Sequence, residues 1–267
     1  MTPADTAARL ARIYSAQAGT YAAIWSPIIR TAGRRLLERV PWQSARRIVD
    51  VGTGAGAHLP DIRRLAPAAW VLGVDRSTGM LDLARGHETP LAVMDAMQLA
   101  LRPQSFDVAL MIFMLFHLDD PGRALRGIRR ALRPQGALGV VTWAEDPDVE
   151  ASRVWEAQLD ALGAREDAPI AHRHELMNTP DKVTALLASA GLTPRCVWTE
   201  PLEHTWEIDT LFALHTGFGR ARRKLDSLDA GRREAFLRGI RARLAGLPAE
   251  AFRYRATTVC AVACRPG

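Results

Sequence analysis

The chain has 267 residues, 48% apolar and 24% charged, enough for a sizeable core without disulfide or metal staples. Its 35 basic and 29 acidic residues give a net charge of +6. Nearly all the basic charge is Arg, dispersed in pairs such as Arg34-Arg35, Arg63-Arg64 and Arg232-Arg233, which reads as solvated helix faces and not as a nucleic-acid patch. No apolar run approaches the ~18 residues of a membrane span, and the first twelve residues carry no signal-peptide core. Cys196, Cys260 and Cys264 show no metal-ligand spacing, so reduced thiols, no metal and a cytoplasmic setting are expected.

In chain order, the segment before residue 47 reads as helical, with breaks at Pro27 and Pro41. Residues 47–51 form a strand that runs into Gly52, followed by a helix over 57–65. A second strand (70–75), a helix (80–85) and a short third strand (91–94) come next. Residues 106–111 are apolar nearly throughout, as a strand buried on both faces is. A helix over 120–132 has Pro121 in its first turn and is stopped by Pro134 and Gly136; a fifth strand spans 137–143. The alternation predicts an α/β fold with a parallel sheet covered on both faces.

After Glu145 the rhythm changes. A helical stretch (152–162) precedes a loop-like segment holding Pro169, His172 and His174. Then come a helix (180–190) stopped by Gly191, a strand (192–200), amphipathic helices at 208–218 and 230–244, and a β-rich run over 253–263.

The strongest local feature is Val49-Asp50-Val51-Gly52-Thr53-Gly54-Ala55-Gly56-Ala57, a glycine turn between a strand and a helix. Glycines there permit a tight turn and close approach of a ligand to the backbone. Asp75 ends the second strand, where a carboxylate can accept hydrogen bonds from both hydroxyls of a ribose. The pair implies a nucleoside-containing ligand at the C-terminal edge of the sheet. Gly52, Gly54 and Ala57 also satisfy G-x-G-x-x-A, so the turn alone leaves a nicotinamide dinucleotide open.

Further motifs narrow the choice. The stretch 49–56 resembles the first motif of class I S-adenosylmethionine (SAM)-dependent methyltransferases, acidic residue included. Val93-Met94-Asp95-Ala96-Met97-Gln98-Leu99 resembles that family's third motif, and Phe106-Asp107-Val108-Ala109-Leu110-Met111 its fourth strand. Phe116-His117-Leu118-Asp119-Asp120-Pro121 resembles its His-His-Leu-x-Asp-Pro stretch, with Phe116 in place of the first His. Arg130-Ala131-Leu132-Arg133-Pro134-Gln135-Gly136 resembles Arg-x-Leu-Lys-Pro-Gly-Gly, departing at Gln135. The resemblance covers residues 46–143 and is nearest to the small-molecule branch that includes quinone-biosynthesis methyltransferases.

The resemblance implies a Rossmann-like doubly wound sheet, mostly parallel with an antiparallel last strand, plus a helical lid. It divides the chain into an N-terminal lid (1–45), a SAM-binding core (46–145), late core elements with an inserted helical cap on the substrate side (146–250), and a C-terminal strand (251–267). It further implies that Gly52, Thr53, Gly54 and Gly56 line the methionine and ribose parts of SAM, and that Asp75 holds the ribose. Arg76 and Met80 would flank the adenine, with Asp95 and Ala96 at its edge. Met111 and Ile112 would lie under the cofactor, and Tyr21 could reach its carboxylate.

Transfer from a sulfonium needs alignment above all, and a general base only where the acceptor must lose a proton. His117 and His215 are the candidates for that base. No Asn-Pro-Pro-Tyr-like sequence follows the fourth strand, which favours carbon or oxygen as the methylated atom. Trp25, Trp143, Trp155, Trp198, Trp206, Phe212 and Phe218 could supply apolar walls, which suggests an apolar or aromatic small-molecule acceptor. The competing readings are an RNA methyltransferase, an NAD(P)-dependent oxidoreductase and a non-methylating SAM-binding protein. Neither Lys182 nor Lys224 has a Tyr four residues before it, and no appended nucleic-acid module is visible, so no nucleic-acid partner is expected. A homodimer stays open.

Overall fold

The computed structural model describes residues 3–144, 148–166 and 172–267. Glu145 and Pro169 of the sequence reading lie outside the described residues. Seven strands form one sheet in the order β3-β2-β1-β4-β5-β7-β6. They are β1 Arg47–Val51, β2 Trp70–Asp75, β3 Leu91–Val93, β4 Phe106–Ile112, β5 Leu132–Trp143, β6 Thr193–Thr205 and β7 Arg253–Cys264. The pairs among β1 to β5 are parallel, and β7 is antiparallel to both β5 and β6. This is the expected mostly parallel, doubly wound sheet with an antiparallel last strand. Order reverses between β1 and β4, so the loops after these strands part there and leave a crevice at the carboxyl ends.

The central strands are buried on both sides: Ile48, Val49, Ala109, Leu110 and Met111 have no exposed surface. Around the sheet lie α1 Pro3–Ala16, α2 Ala18–Thr20, α3 Ser26–Leu37, α4 Leu59–Leu65, α5 Thr78–Ala84, α6 Pro121–Ala131, α7 Glu150–Ala161, α8 Pro180–Ser189, α9 Ile208–Gly217, α10 Gly219–Asp226 and α11 Ala230–Ala245. Several starts are written in the sequence. The side chains of Ser77, Asp120, Thr179 and Asp229 each accept a hydrogen bond from a backbone N–H three residues on, capping α5, α6, α8 and α11.

Three details differ from the sequence reading. Pro27 is not a break; it sits in the first turn of α3, and the π-helical turn Tyr21–Trp25 before it absorbs the missing donor. β6 runs five residues beyond the expected end at 200, because β7 pairs with it as far as Thr205. The interval between the two expected late helices holds α10, a helix of low apolar content whose Lys224 is buried and paired with Glu156 and Asp160 of α7. Helices α7, α9, α10 and α11 pack on one another around Trp155, which has no exposed surface and meets Phe212 and Phe236 edge-on.

α1 lies across α5. Ser15 Oγ is 2.9 Å from Ser77 Oγ and accepts a hydrogen bond from Gly79 N at 3.3 Å. A Cβ at position 79 would fall 2.7 Å from the Ser15 carbonyl oxygen, so only glycine allows this approach. Gly→Ala inside a helix ordinarily stabilises by about 0.5–1 kcal/mol. Gly79→Ala should do the opposite, detaching α1 while the sheet stays folded; faster limited proteolysis within residues 3–16 checks this, and a raised melting temperature with unchanged proteolysis would contradict it.

Candidate functional site

The turn after β1 is built from three residues of positive φ: Gly52 at 76°, Gly54 at 55° and Gly56 at 81°. They serve different ends. Gly52 N and Thr53 N donate to Val74 O at 2.8 and 3.0 Å, tying the turn to β2, and a Cβ on Gly52 would strike Met114. A Cβ on Gly56 would lie 2.5 Å from the His87 ring, so that glycine is required by packing. A Cβ on Gly54 would meet nothing within 4 Å, which leaves its backbone open for a ligand to approach.

Two carboxylates hold the turn, Asp50 buried and Asp75 half-buried. Asp75 accepts from Gly54 N at 2.9 Å and from Ser77 N at 2.8 Å. Burial pushes its pKa up, against those two hydrogen bonds and Arg76. Asp50 lies beneath the turn and accepts from Thr53 Oγ1 at 2.7 Å. Burial drives Asp50 up to about 6, with Thr53 opposing and the charge of Asp75 adding to the rise.

In front of the turn is a cavity of roughly 850 Å³, its open mouth included. Of the residues singled out by sequence, Gly52, Thr53, Gly54, Asp75, Arg76, Met80, Ala96, Ile112, Tyr21 and His117 line it. Four are placed elsewhere. Gly56 packs on His87. Asp95 caps the short 3₁₀ turn that follows it and borders a shallower groove that shares Arg76 and Ala11 with the cavity. Met111 is wholly buried inside the sheet's core. His215 is in the helical cap, bonded to Ser152 Oγ at 3.0 Å with its ring centroid 5.0 Å from that of Trp155, and burial pulls its pKa down to about 4.

Tyr14, which the sequence places with Tyr21 in the N-terminal helical segment, also lines it, and the structure adds Ser26, His58, Phe113, Met114 and Leu118 to the wall. Phe113 sits at φ 53° directly after β4, an uncommon conformation for a large side chain. No sequence motif announces it. Ser26 and His58 lie in no recognised motif either, and only their spacing from Pro27 and from the glycine turn could have drawn attention.

Polar atoms left without partners gather at this cavity. Among the described residues, Ser26 Oγ, both ring nitrogens of His58, Arg76 Nη1 and His117 Nδ1 are buried with no hydrogen-bond partner, and all four residues line it. Buried polar atoms are rarely left so, and each calls for a reason. Thr142 Oγ1 and Trp155 Nε1, the former in the sheet and the latter in the cap, also lack one.

Beside the crevice, Tyr14 Oη is 3.1 Å from His117 Nε2. Burial holds the His117 imidazole well below the usual histidine range, helped by the positive charge that His172, His174 and Arg76 can carry. Burial likewise raises the phenols of Tyr14 and Tyr21, so both stay protonated. Phe218 packs against both tyrosines, with centroids 5.7 and 5.2 Å away. Trp25, Trp143, Trp155, Trp198, Trp206, Phe212 and Phe218, offered by the sequence as apolar walls, do not line the cavity; its aromatic lining is Tyr14, Tyr21 and Phe113.

Among the described residues no helix is long and apolar enough to cross a membrane. Residues 49–140 match the family model described as a methyltransferase domain. The chain is 32% identical over 111 residues to demethylmenaquinone methyltransferase of Corynebacterium kroppenstedtii, covering 42% of this chain and 46% of that one. It is 28% identical over 185 residues to ubiquinone biosynthesis O-methyltransferase of Dinoroseobacter shibae, covering 66% and 72%. Across four of the curated relatives it matches, the chain spans 32% to 64% of their length. Its fold is shared with phosphoethanolamine N-methyltransferase 2 of Haemonchus contortus, solved in complex with S-adenosyl-L-methionine, at a TM-score of 0.52, 17% identity, and coverage of 89% of this chain and 53% of that chain. Sheet order, glycine turn and matched segment agree: residues 49–140 form a methyltransferase domain, and the chain resembles class I SAM-dependent methyltransferases, the quinone-biosynthesis enzymes among them.

Proposed function

We propose that the protein transfers the methyl group of SAM to a carbon or oxygen of a small, largely apolar or aromatic metabolite. The observation that carries this reading is the convergence of unpartnered buried polar atoms on one crevice whose other walls are apolar. A ligand with both polar and apolar parts satisfies such a wall, and an adenosyl group with a charged tail is one. When bound, the cofactor supplies an electrophilic methyl carbon; the remaining work falls to the protein.

Asp75 is suited to the ribose hydroxyls: it ends β2 beside the open backbone of Gly54. Arg76, Met80 and Ala96 lie on the β2–β3 side, where the adenine would rest. The electrostatics favour a cation over a dinucleotide. Asp50 and Asp75 make the turn negative, and α4 begins only at Leu59, so no helix N-terminus stands directly behind Gly54 to meet a pyrophosphate.

On the acceptor side, His117 is the group suited to take a proton. In the tautomer whose Nε2–H donates to the Tyr14 oxygen, the Nδ1 lone pair is left for an acceptor hydroxyl. The Tyr14 bond fixes the ring, and Phe113, Met114 and Leu118 give apolar surface beside it. The proton passes from the acceptor to Nδ1 and leaves by water after product release.

Asp75→Ala should weaken S-adenosylhomocysteine binding at least tenfold by calorimetry while circular dichroism stays native; unchanged affinity would refute the ribose assignment. His117→Phe should lower kcat about 10²–10⁴-fold with cofactor affinity unaltered, and Tyr14→Phe should lower it less. Because the folded His117 titrates below its ordinary value of 6.5, the wild-type rate should persist as pH falls through 6.5, and a fall in rate beginning above that value would count against His117 as base. Finally, a bound cation favours ionised Asp50, so binding below neutrality should release a proton. SAM affinity should therefore rise from pH 5 to pH 7 across the Asp50 value of about 6, and Asp50→Asn should flatten that slope.

A further inference from the structure

The end of the sheet opposite the crevice collects arginines from five separate segments. Arg46 and Arg47 lead into β1, and Arg102 precedes β4 by four residues. Arg129 and Arg130 end α6, and Arg133 lies at the start of β5. Arg195 is at the start of β6, and Arg265 follows β7, which runs antiparallel and so finishes at the same edge. All are exposed except Arg265, which is half-buried.

Hydrogen bonds join them into one surface. Arg265 donates to the carbonyls of Arg129, Arg130 and Leu132, Arg130 to that of Leu99 at 2.7 Å, and Arg129 to that of Gly191 at 3.0 Å. Asp107 accepts from Arg133 Nη1 and from the backbone N–H groups of Arg46 and Arg47. Among the described residues it is the one carboxylate paired with any of the eight. A carbonyl partner orients a guanidinium without cancelling its charge, and leaves most of its five N–H donors open. The chain's entire net charge is +6, so eight guanidiniums around one carboxylate account for all of it.

An exposed indole completes the face. Trp70 begins β2 in register with Arg47, is 42% exposed, and has the Arg47 guanidinium 5.2 Å from its ring centroid. From Trp70 on β2 to Arg195 on β6 the face crosses six neighbouring strands, about 24 Å at the usual strand spacing. Guanidiniums so arrayed match phosphate oxygens. A single-stranded nucleic acid is held in a groove with several rings for its bases. Here Trp70 is the one exposed large aromatic among the described residues, and none of the eight arginines lines the cavity or the groove beside it. A bilayer surface instead takes a broad cationic face with an amphipathic aromatic at headgroup depth.

We infer that this end of the molecule docks on an anionic lipid surface, the arginines on its phosphates and Trp70 in the headgroup layer, with the crevice turned toward water. The inference is independent of what the crevice binds.

Co-sedimentation with vesicles tests it. The protein should bind mixed phosphatidylglycerol–phosphatidylcholine vesicles, leave pure phosphatidylcholine unbound, and lose binding as salt rises. The side chains of Arg46, Arg47 and Arg102 donate no hydrogen bond among the described residues, so replacing them should leave circular dichroism native. Changing all three to Gln should weaken binding about 100-fold, at roughly fivefold per arginine. Arg232→Gln, Arg238→Gln and Arg243→Gln together remove the same charge from α11 in the cap. That set should change binding by no more than about threefold at physiological ionic strength, where screening acts over about 8 Å. Trp70→Ala should weaken binding severalfold with its salt dependence unchanged. No binding to the anionic vesicles, or equal losses in the two triple variants, would overturn the inference. So would tighter binding to poly(U) than to vesicles, lost with the same three arginines, which would make the face a nucleic-acid surface. Should the first triple variant fail to fold, Arg46→Gln and Arg102→Gln decide singly on the fivefold criterion.

Discussion

The site depends on one carboxylate. Asp75 binds the backbone N–H of Gly54 with one oxygen and that of Ser77 with the other, so it joins the turn after β1 to the turn after β2. Those turns flank the crevice that the strand order opens. The Asp75 side chain is half-buried, and its pKa is raised despite both bonds, so the ionised form is held at some expense in desolvation. The same two bonds fix the φ 55° conformation of Gly54, keeping a bare stretch of backbone open toward the cavity. Backbone geometry and local charge are thus set by a single interaction, and the α1 latch on Ser77 and Gly79 builds directly on its second half.

From that anchor the covering elements can be traced. Tyr14 and Tyr21, from α1 and the π-helical turn, close over the crevice and receive Phe218 between them. The cap is fastened to the same place: Gly219 N donates to Gln17 Oε1 at 3.0 Å, and Gly217 has no room for a Cβ beside Thr20. Residues about 200 positions apart in sequence therefore meet above one histidine, His117. The Tyr14–His117 hydrogen bond exists only while α1 is docked, so covering the crevice and orienting that ring are the same event.

The core was legible because its physics is local. The apolar runs of β1, β2 and β4, the prolines and caps of α6 and α8, and the turn glycines each state their structure within a few residues. The late chain was less so. α10 escaped because its charged residues give no apolar stripe; the buried Lys224 acts as its core contact through Glu156 and Asp160. β6 ran long because its length is set by its partner β7 and not by its own pattern. In the site, motif residues such as Gly54, Asp75 and Ala96 meet at the cavity as their spacing suggests. His215 shows the limit of that reasoning: an isolated histidine in a helical segment carries no information about which way its face points, and this one turns into the cap beside Trp155.

The same limit applied to His58, and charge resolves what spacing could not. A fully buried carboxylate whose pKa is moved from 3.8 to about 6 bears an energetic burden near neutrality of about 3 kcal/mol by the usual conversion. Asp50 carries that burden beneath the turn, and Asp75 adds like charge beside it. An anionic ligand in front of the turn would increase the strain, whereas a cation relieves it. The fingerprint shared by dinucleotide and SAM sites therefore splits on electrostatics and not on glycine spacing. The turn supplies close approach for either ligand, and the acid beneath it selects the positively charged one.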